Sequence, residues 1–218
     1  MTRIIGGIAG GRQIAAPKGT GTRPTTDRVR ESLFARLESM GAVAGSRVAD
    51  LFCGSGALGL EAVSRGAASA VLVESDPAAA AVARRNVERL GLRGVTVVAD
   101  RVERFLGHAI GRDEGYDLVL LDPPYALSDE VTSDLLVAVA AVLTPGGVVS
   151  VERSSRSPAP LWPPSVTAVG GRTYGETAVW LAELTSGLPS PLLGAGVGAA
   201  DEVPLEGEED DGHRNGHQ

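Results

Sequence analysis

Between Arg47 and Val151, short runs of valine, leucine and alanine alternate with stretches whose apolar residues recur at helical spacing, an order that hairpin-built sheets do not produce. The apolar runs Val48–Phe52, Ala70–Glu74, Val95–Ala99, Asp117–Leu121 and Val148–Val151 read as strands. Ala57–Ser64, Pro77–Leu90, Val102–Ile110 and Ser128–Leu143 read as the helices between them. Proline stands in the first turn of the Pro77 helix and Gly91 just beyond its end, the usual asymmetry of helix termini. Strands that are apolar throughout are buried on both faces, which requires crossover helices on each side of a parallel sheet. The class is therefore α/β, a doubly wound, mostly parallel, Rossmann-like sheet. Ser165–Val169 and Thr177–Leu184 have no helix between them and predict an antiparallel hairpin at the sheet edge, for seven strands in all.

What flanks this alternation differs from it in charge. The net charge is −7, yet residues 184–218 carry seven acids against Arg214, while Arg3, Arg12, Lys18, Arg23, Arg28, Arg30 and Arg36 face only Asp27 and Glu31 in residues 1–36. The tail lacks aromatic residues and is rich in glycine and proline, so burial cannot offset its ordering entropy and it is expected to be disordered. The basic end holds paired glycines among isoleucines over residues 3–16, as a β-hairpin would, then a helix over Asp27–Ser39 with Thr25 and Thr26 as N-cap candidates and Arg28 and Arg36 on its polar face. It is either a solvated face or a phosphate-binding arm. Three segments follow: a basic extension over 1–46, a core over 47–183 and an acidic tail over 184–218.

One cysteine, Cys53, and three histidines exclude a disulfide framework and a Cys/His zinc cluster, so no metal is expected and the composition fits a reducing cytoplasm. No apolar run approaches the ~18 residues of a membrane span, and glycines with Arg12 interrupt any signal-like segment at the start. A monomer without membrane association is expected.

In doubly wound sheets ligands sit outside the carboxyl ends of the strands. There, Gly54-Ser55-Gly56-Ala57-Leu58-Gly59 matches G-x-G-x-x-G between a strand and a helix, and Glu74 ends the next strand. A dinucleotide such as NAD fits this loop, and so does a nucleoside without phosphates. Asp50, just upstream, favours the second. A carboxylate facing the non-adenine part of the cofactor repels pyrophosphate and attracts a cation, and S-adenosylmethionine carries an ammonium and a sulfonium but no phosphate. Cys53 reads as a packing residue, since no base accompanies it. Asp100 is either an adenine contact or a solvated strand end.

After the fourth strand comes Asp122-Pro123-Pro124-Tyr125. Two prolines remove two N–H donors, so carbonyls near Pro123 are expected to face the crevice without being drawn into a turn bond. The Asp122 carboxylate and the Pro123 carbonyl can then accept both hydrogens of an exocyclic amine, with Tyr125 stacking on the base. Methylation at C5 of cytosine needs a cysteine nucleophile, and none lies near residues 122–125.

The blocks Arg23-Pro24-Thr25-Thr26-Asp27-Arg28-Val29-Arg30-Glu31-Ser32-Leu33-Phe34 and Asp50-Leu51-Phe52-Cys53-Gly54-Ser55-Gly56-Ala57-Leu58-Gly59-Leu60-Glu61-Ala62, with Asp122-Pro123-Pro124-Tyr125, resemble the RsmD-type 16S rRNA (guanine-N2)-methyltransferases over roughly residues 2–183. The resemblance implies a class I methyltransferase fold and transfer of a methyl group from S-adenosylmethionine to a guanine of 16S rRNA, in free RNA or a 30S particle. It implies cofactor contacts from Asp50, Phe52, Gly54, Ser55, Gly56, Gly59, Glu74, Asp100 and Arg101, and a target-base site at Asp122, Pro123, Pro124 and Tyr125. RNA contacts are implied for Arg3, Arg12, Lys18, Arg23, Arg28 and Arg30, which favours the phosphate-arm reading. The acidic tail departs from the pattern. Competing readings are a DNA amino or cytosine methyltransferase, a non-catalytic RNA-binding module of the same fold, and an NAD-dependent oxidoreductase.

Overall fold

The computed structural model describes residues 2–17, 27–124 and 127–185. The N-terminal segment forms a small antiparallel pair, β1 (Thr2–Arg3) with β2 (Gln13–Ile14), joined through a 3₁₀ turn at Gly7–Ala9. Helix α1 covers Asp27–Ser39, buries Val29, Leu33, Phe34 and Leu37, and leaves Arg28 and Arg36 exposed. The N-cap candidates Thr25 and Thr26 and residues 186–218 of the acidic tail lie outside the described residues, while Leu184, expected to begin that tail, ends the last strand of the sheet.

The core follows as β3 (Arg47–Leu51), α2 (Ala57–Ser64), β4 (Ser69–Glu74), α3 (Pro77–Leu90), β5 (Val95–Ala99), α4 (Val102–Gly111), β6 (Tyr116–Leu121), α5 (Asp129–Val142), β7 (Leu143–Ser154), β8 (Val166–Tyr174) and β9 (Thr177–Leu184). Strand order is β5-β4-β3-β6-β7-β9-β8, parallel from β5 to β7 and antiparallel for β7-β9-β8. The winding reverses between β3 and β6, which puts the glycine loop after β3 beside the Asp122 segment after β6. Side-chain alternation splits the core into two layers. Val48, Leu118, Leu120 and Val148 pack under α1–α3, and Ala49, Val119, Leu121 and Val151 pack under α4 and α5.

Two expectations need correction. β5 is not buried on both faces, because it is the sheet edge and only part of it is covered. β8 runs on to Tyr174 rather than stopping at Val169, since Gly170 absorbs a register shift and Gly171 lets β8 lie on Trp180, whose ring would sit 2.2 Å from a Cβ there.

The N-terminal segment is held on the core by a buried carboxylate. Glu61 of α2 accepts the Ile5 and Gly6 N–H groups at 2.7 and 2.8 Å and pairs with Arg65 at 2.7 Å and Arg30 at 3.5 Å. Glu61 and Arg30 are 0% and 1% exposed, and burial lowers the pKa of Arg30 against the opposing pull of Glu61 and Asp27. The fit is close: a Cβ at Gly7 would lie 1.8 Å from the Ser64 carbonyl oxygen. Removing one partner leaves buried charge uncompensated, so Glu61→Ala is expected to cost about 3–5 kcal/mol in urea unfolding. Ile5 and Gly6 should lose amide-exchange protection in the same variant.

Candidate functional site

The loop between β3 and α2 can form only because acceptors await its amides. Chain reversal puts Phe52 at φ 63°, a conformation rare for a bulky side chain and frequent at functional sites, and Gly54 and Gly56 at φ 54° and 80°. Asp50 accepts the Gly59 N–H at 2.8 Å, and Glu74 at the tip of β4 accepts the Gly54 N–H at 2.9 Å and the Asp76 N–H at 2.8 Å. Gly59 has no room for a side chain, since a Cβ would lie 2.2 Å from Leu72 and 3.1 Å from Asp50 Cβ. Gly54 is open: a Cβ there meets nothing within 4 Å.

Asp50 is only 1% exposed, and burial first, then Glu74, pushes its pKa up to about 7 against the lowering effect of the Gly59 amide. This modifies the electrostatic expectation. The carboxylate is a buried brace whose proton is held to higher pH than that of an exposed aspartate. Its Oδ1 is buried and has no hydrogen-bond partner among the described residues, and a cation drawn toward it would restore the charge. Cys53 packs in the core, where burial, Asp50 and Glu74 push its thiol well above the usual range, so it is no nucleophile.

S-adenosylmethionine fits this donor set. Gly54 leaves the loop accessible, Asp50 offers an unused buried oxygen to a cation, and among the described residues neither Asp50 nor Glu74 has a basic partner with which to offset a diphosphate. Asp100 is less available than expected, because Arg104 holds both of its oxygens at 2.6 and 2.7 Å and, as the main cause, lowers its pKa. Arg101 is exposed; its side chain lies 3.5 Å from Glu103 and its N–H donates to Asp100. Ser55 carries its part through its carbonyl, which accepts from Asn86 at 2.9 Å.

Asp122 follows β6 directly and is partly buried, Pro123 is buried and Pro124 exposed. The Pro124 carbonyl does close a turn, accepting from Leu127 N–H at 2.9 Å, contrary to the expectation for this pair. The Pro123 carbonyl has no hydrogen-bond partner among the described residues. Tyr125 lies outside them.

The basic end divides. Arg30 is not an RNA contact, because its guanidinium is buried against Asp27, Glu61 and the Arg3 carbonyl. Arg12 ties down the end of α3, donating to the Arg89 and Leu90 carbonyls at 2.5 and 2.7 Å. Arg3 pairs with Asp27 at 3.2 Å but stays largely exposed, and Arg28 is exposed. Lys18 and Arg23 fall outside the described residues.

Two residues of the site escaped notice in the sequence. Asn86, 1% exposed, binds the Ala15 N–H and carbonyl as well as the Ser55 carbonyl, joining the N-terminal segment to the glycine loop, and nothing in a helical Arg-Asn-Val signals this. Glu152 is 4% exposed near the end of β7, level with Asp122 because Leu121 is paired with Val151, and it lines a small cavity with Pro123 and Pro124. The rule that singles out acids at strand ends, applied to β7, would have found it.

Fold and site together define an S-adenosylmethionine-dependent methyltransferase. A family profile described as conserved hypothetical protein 95 matches residues 2–183. The chain is 42% identical over 123 residues to ribosomal RNA small subunit methyltransferase D of Escherichia coli K12, covering 56% of this chain and 60% of that protein. It is 31% identical over 175 residues to the protein of that name from Haemophilus influenzae, covering 79% and 89%. The solved structure of a hypothetical protein from Thermus thermophilus matches with a TM-score of 0.71 and 36% identity, covering 83% of this chain and 98% of that one. The chain belongs to the RsmD family.

Among the described residues no helix is long and apolar enough to cross a membrane, and no cluster of His, Cys, Asp or Glu is placed to hold a metal ion.

A folded carboxyl group with a raised pKa gives stability that is complete below its unfolded pKa and is lost as pH rises through the folded one. Unfolding free energy of the ligand-free protein should therefore decline between about 4 and about 7 through Asp50, and Asp50→Asn should remove that component in urea titrations across pH. Gly59→Ala overpacks against Leu72, and should cost about 1–3 kcal/mol and weaken S-adenosylhomocysteine binding in calorimetry.

Proposed function

We propose that the protein methylates the exocyclic N2 of a guanine in 16S rRNA, with residues 47–183 as the catalytic core and residues 1–46 as an RNA-binding extension in a cytoplasmic, monomeric enzyme. The observation that carries the reading is the placement of Asp122, the Pro123 carbonyl and the buried carboxylate of Glu152 side by side at the tips of β6 and β7. Guanine presents donors at both N1 and N2, which suits such a row. Adenine presents an acceptor at N1, which a neighbouring carboxylate repels. This supports guanine over adenine for a tetrapeptide that amino methyltransferases of both kinds share.

When bound, S-adenosylmethionine supplies a methyl group on a sulfonium leaving group. The Gly54–Gly59 backbone, braced by Asp50 and Glu74, holds that cofactor, and Glu74 retains lone pairs for ribose hydroxyls. Asp122 and the Pro123 carbonyl accept the two amine hydrogens, which directs the nitrogen lone pair away from the base ring. Asp122 also stabilises the positive charge that develops on nitrogen until the proton passes to solvent. Tyr125 supplies a stacking face for the base. Transfer is direct, since the thiol of Cys53 is buried and far from the thiolate form.

Mass spectrometry of 16S rRNA from cells lacking this protein should show one missing N2-methylguanosine. Radiolabelled transfer should favour 16S rRNA or 30S particles over DNA, and labelling of DNA alone overturns the reading. Asp122→Ala should lower kcat on the order of 10²- to 10³-fold while leaving cofactor affinity intact; parallel loss of both would move Asp122 out of the acceptor site. Glu152→Gln should reduce transfer to guanine roughly ten- to a hundredfold.

A further inference from the structure

A groove between α1 and β8 lies apart from the residues assigned above to cofactor and target base. Arg28 and Ser32 on α1 face Arg172 and Tyr174 on β8 around a cavity of about 420 Å³. A second cavity of about 330 Å³ shares Ser32, Arg172 and Tyr174 and continues past Arg36 and Gly170. Among the described residues, three arginines and no carboxylate line the two cavities, in a chain whose net charge is −7. Among the described residues Arg28, Arg36 and Arg172 make no ion pair, whereas Arg3, Arg30, Arg65, Arg104 and Arg153 each hold a carboxylate. Arginines gathered without counter-charges are poised for an anion from outside.

The groove is ordered before any ligand arrives. The Tyr174 hydroxyl shares a short hydrogen bond with Ser32 Oγ, and the Arg172 guanidinium lies 5.4 Å from the centre of the Tyr174 ring. Its position ties it to the reaction. Arg172, Val179 and Glu152 form one cross-strand row, so Arg172 stands two strand spacings, about 10 Å, from the carboxylate beside Asp122. The β8–β9 turn at Gly175 and Glu176 opens at the same sheet end as Asp122, because Thr177 is paired with Ser154.

We infer that this groove binds the phosphodiester backbone of the RNA strand next to the target guanine, with Arg28 and Arg172 gripping phosphate oxygens and Arg36 extending the track. The planar guanidinium matches phosphate in a bidentate manner, and Tyr174 keeps Arg172 from having to be ordered on binding. The inference rests on RNA being the substrate, and assigns α1 and β8, in place of Arg12 and Arg30, as the strand-holding surface.

The test compares wild type with Arg28→Ala/Arg172→Ala and Arg28→Lys/Arg172→Lys. Binding to a 16S rRNA transcript is followed over a series of salt concentrations, together with methyl transfer to 30S particles and S-adenosylhomocysteine affinity. The alanine pair should weaken RNA binding at least about tenfold, flatten the slope of log affinity against log salt by about 1.4 for two single-strand phosphates, and raise KM with cofactor affinity unchanged. The lysine pair should recover the slope but not the full affinity. RNA methylation with an unchanged salt slope and KM in the alanine pair overturns this inference alone. A wild type that neither binds nor methylates RNA overturns the substrate reading and the groove with it.

Discussion

Backbone amides left without partners at the switch point of the sheet need acceptors, and two carboxylates at neighbouring strand tips provide them. Asp50 takes the amide of Gly59 and Glu74 that of Gly54, so each end of the loop is tied to a different strand. The loop is therefore held by groups that can also meet a ligand. Burial makes this costly for Asp50, whose carboxyl keeps its proton up to about 7, and the site gains in return a buried oxygen with no internal partner among the described residues.

The N-terminal segment belongs to the same construction. Glu61 anchors its Ile5 and Gly6 amides to α2, the helix that starts at the glycine loop, and Asn86 joins Ala15 to the Ser55 carbonyl within that loop. The extension and the glycine loop are thus joined through two buried polar residues. The arginines of this end divide their work accordingly: Arg30 neutralises Glu61 inside, Arg12 binds the carbonyl end of α3, and Arg28 remains for solvent or a ligand.

Much of the fold could be read directly from the chain, because it rests on local rules. Val48–Leu51 and Val95–Ala99 announce strands by composition, and Pro77 with Gly91 marks the ends of α3 within a residue. Where pairing sets the outcome, local reading fell short. β8 extends beyond its apolar core because it pairs with β9 along its length, and β7 extends because it pairs with β9 as far as Ser154 and, at its start, with Tyr116 of β6 through Leu143. The site divides the same way: the glycine loop, Glu74 and Asp122 are visible as motif and strand-end positions, while Asn86, Glu152 and Arg172 become visible only when distant elements meet.

Periodicity, glycine spacing and proline chemistry act over a few bonds, and so the chain on its own dictates the layered α/β architecture, the glycine loop after β3 and the diproline segment after β6. Folding settles which charges are used inside and which remain outside. An arginine at position 28 and one at position 30 look alike along the chain, yet helical rotation turns the first to solvent and buries the second against Glu61. Whether a cation is a brace or a binding group depends on the counter-charge that packing brings to it, and for Arg30 the buried part of that counter-charge, Glu61, comes from a different helix.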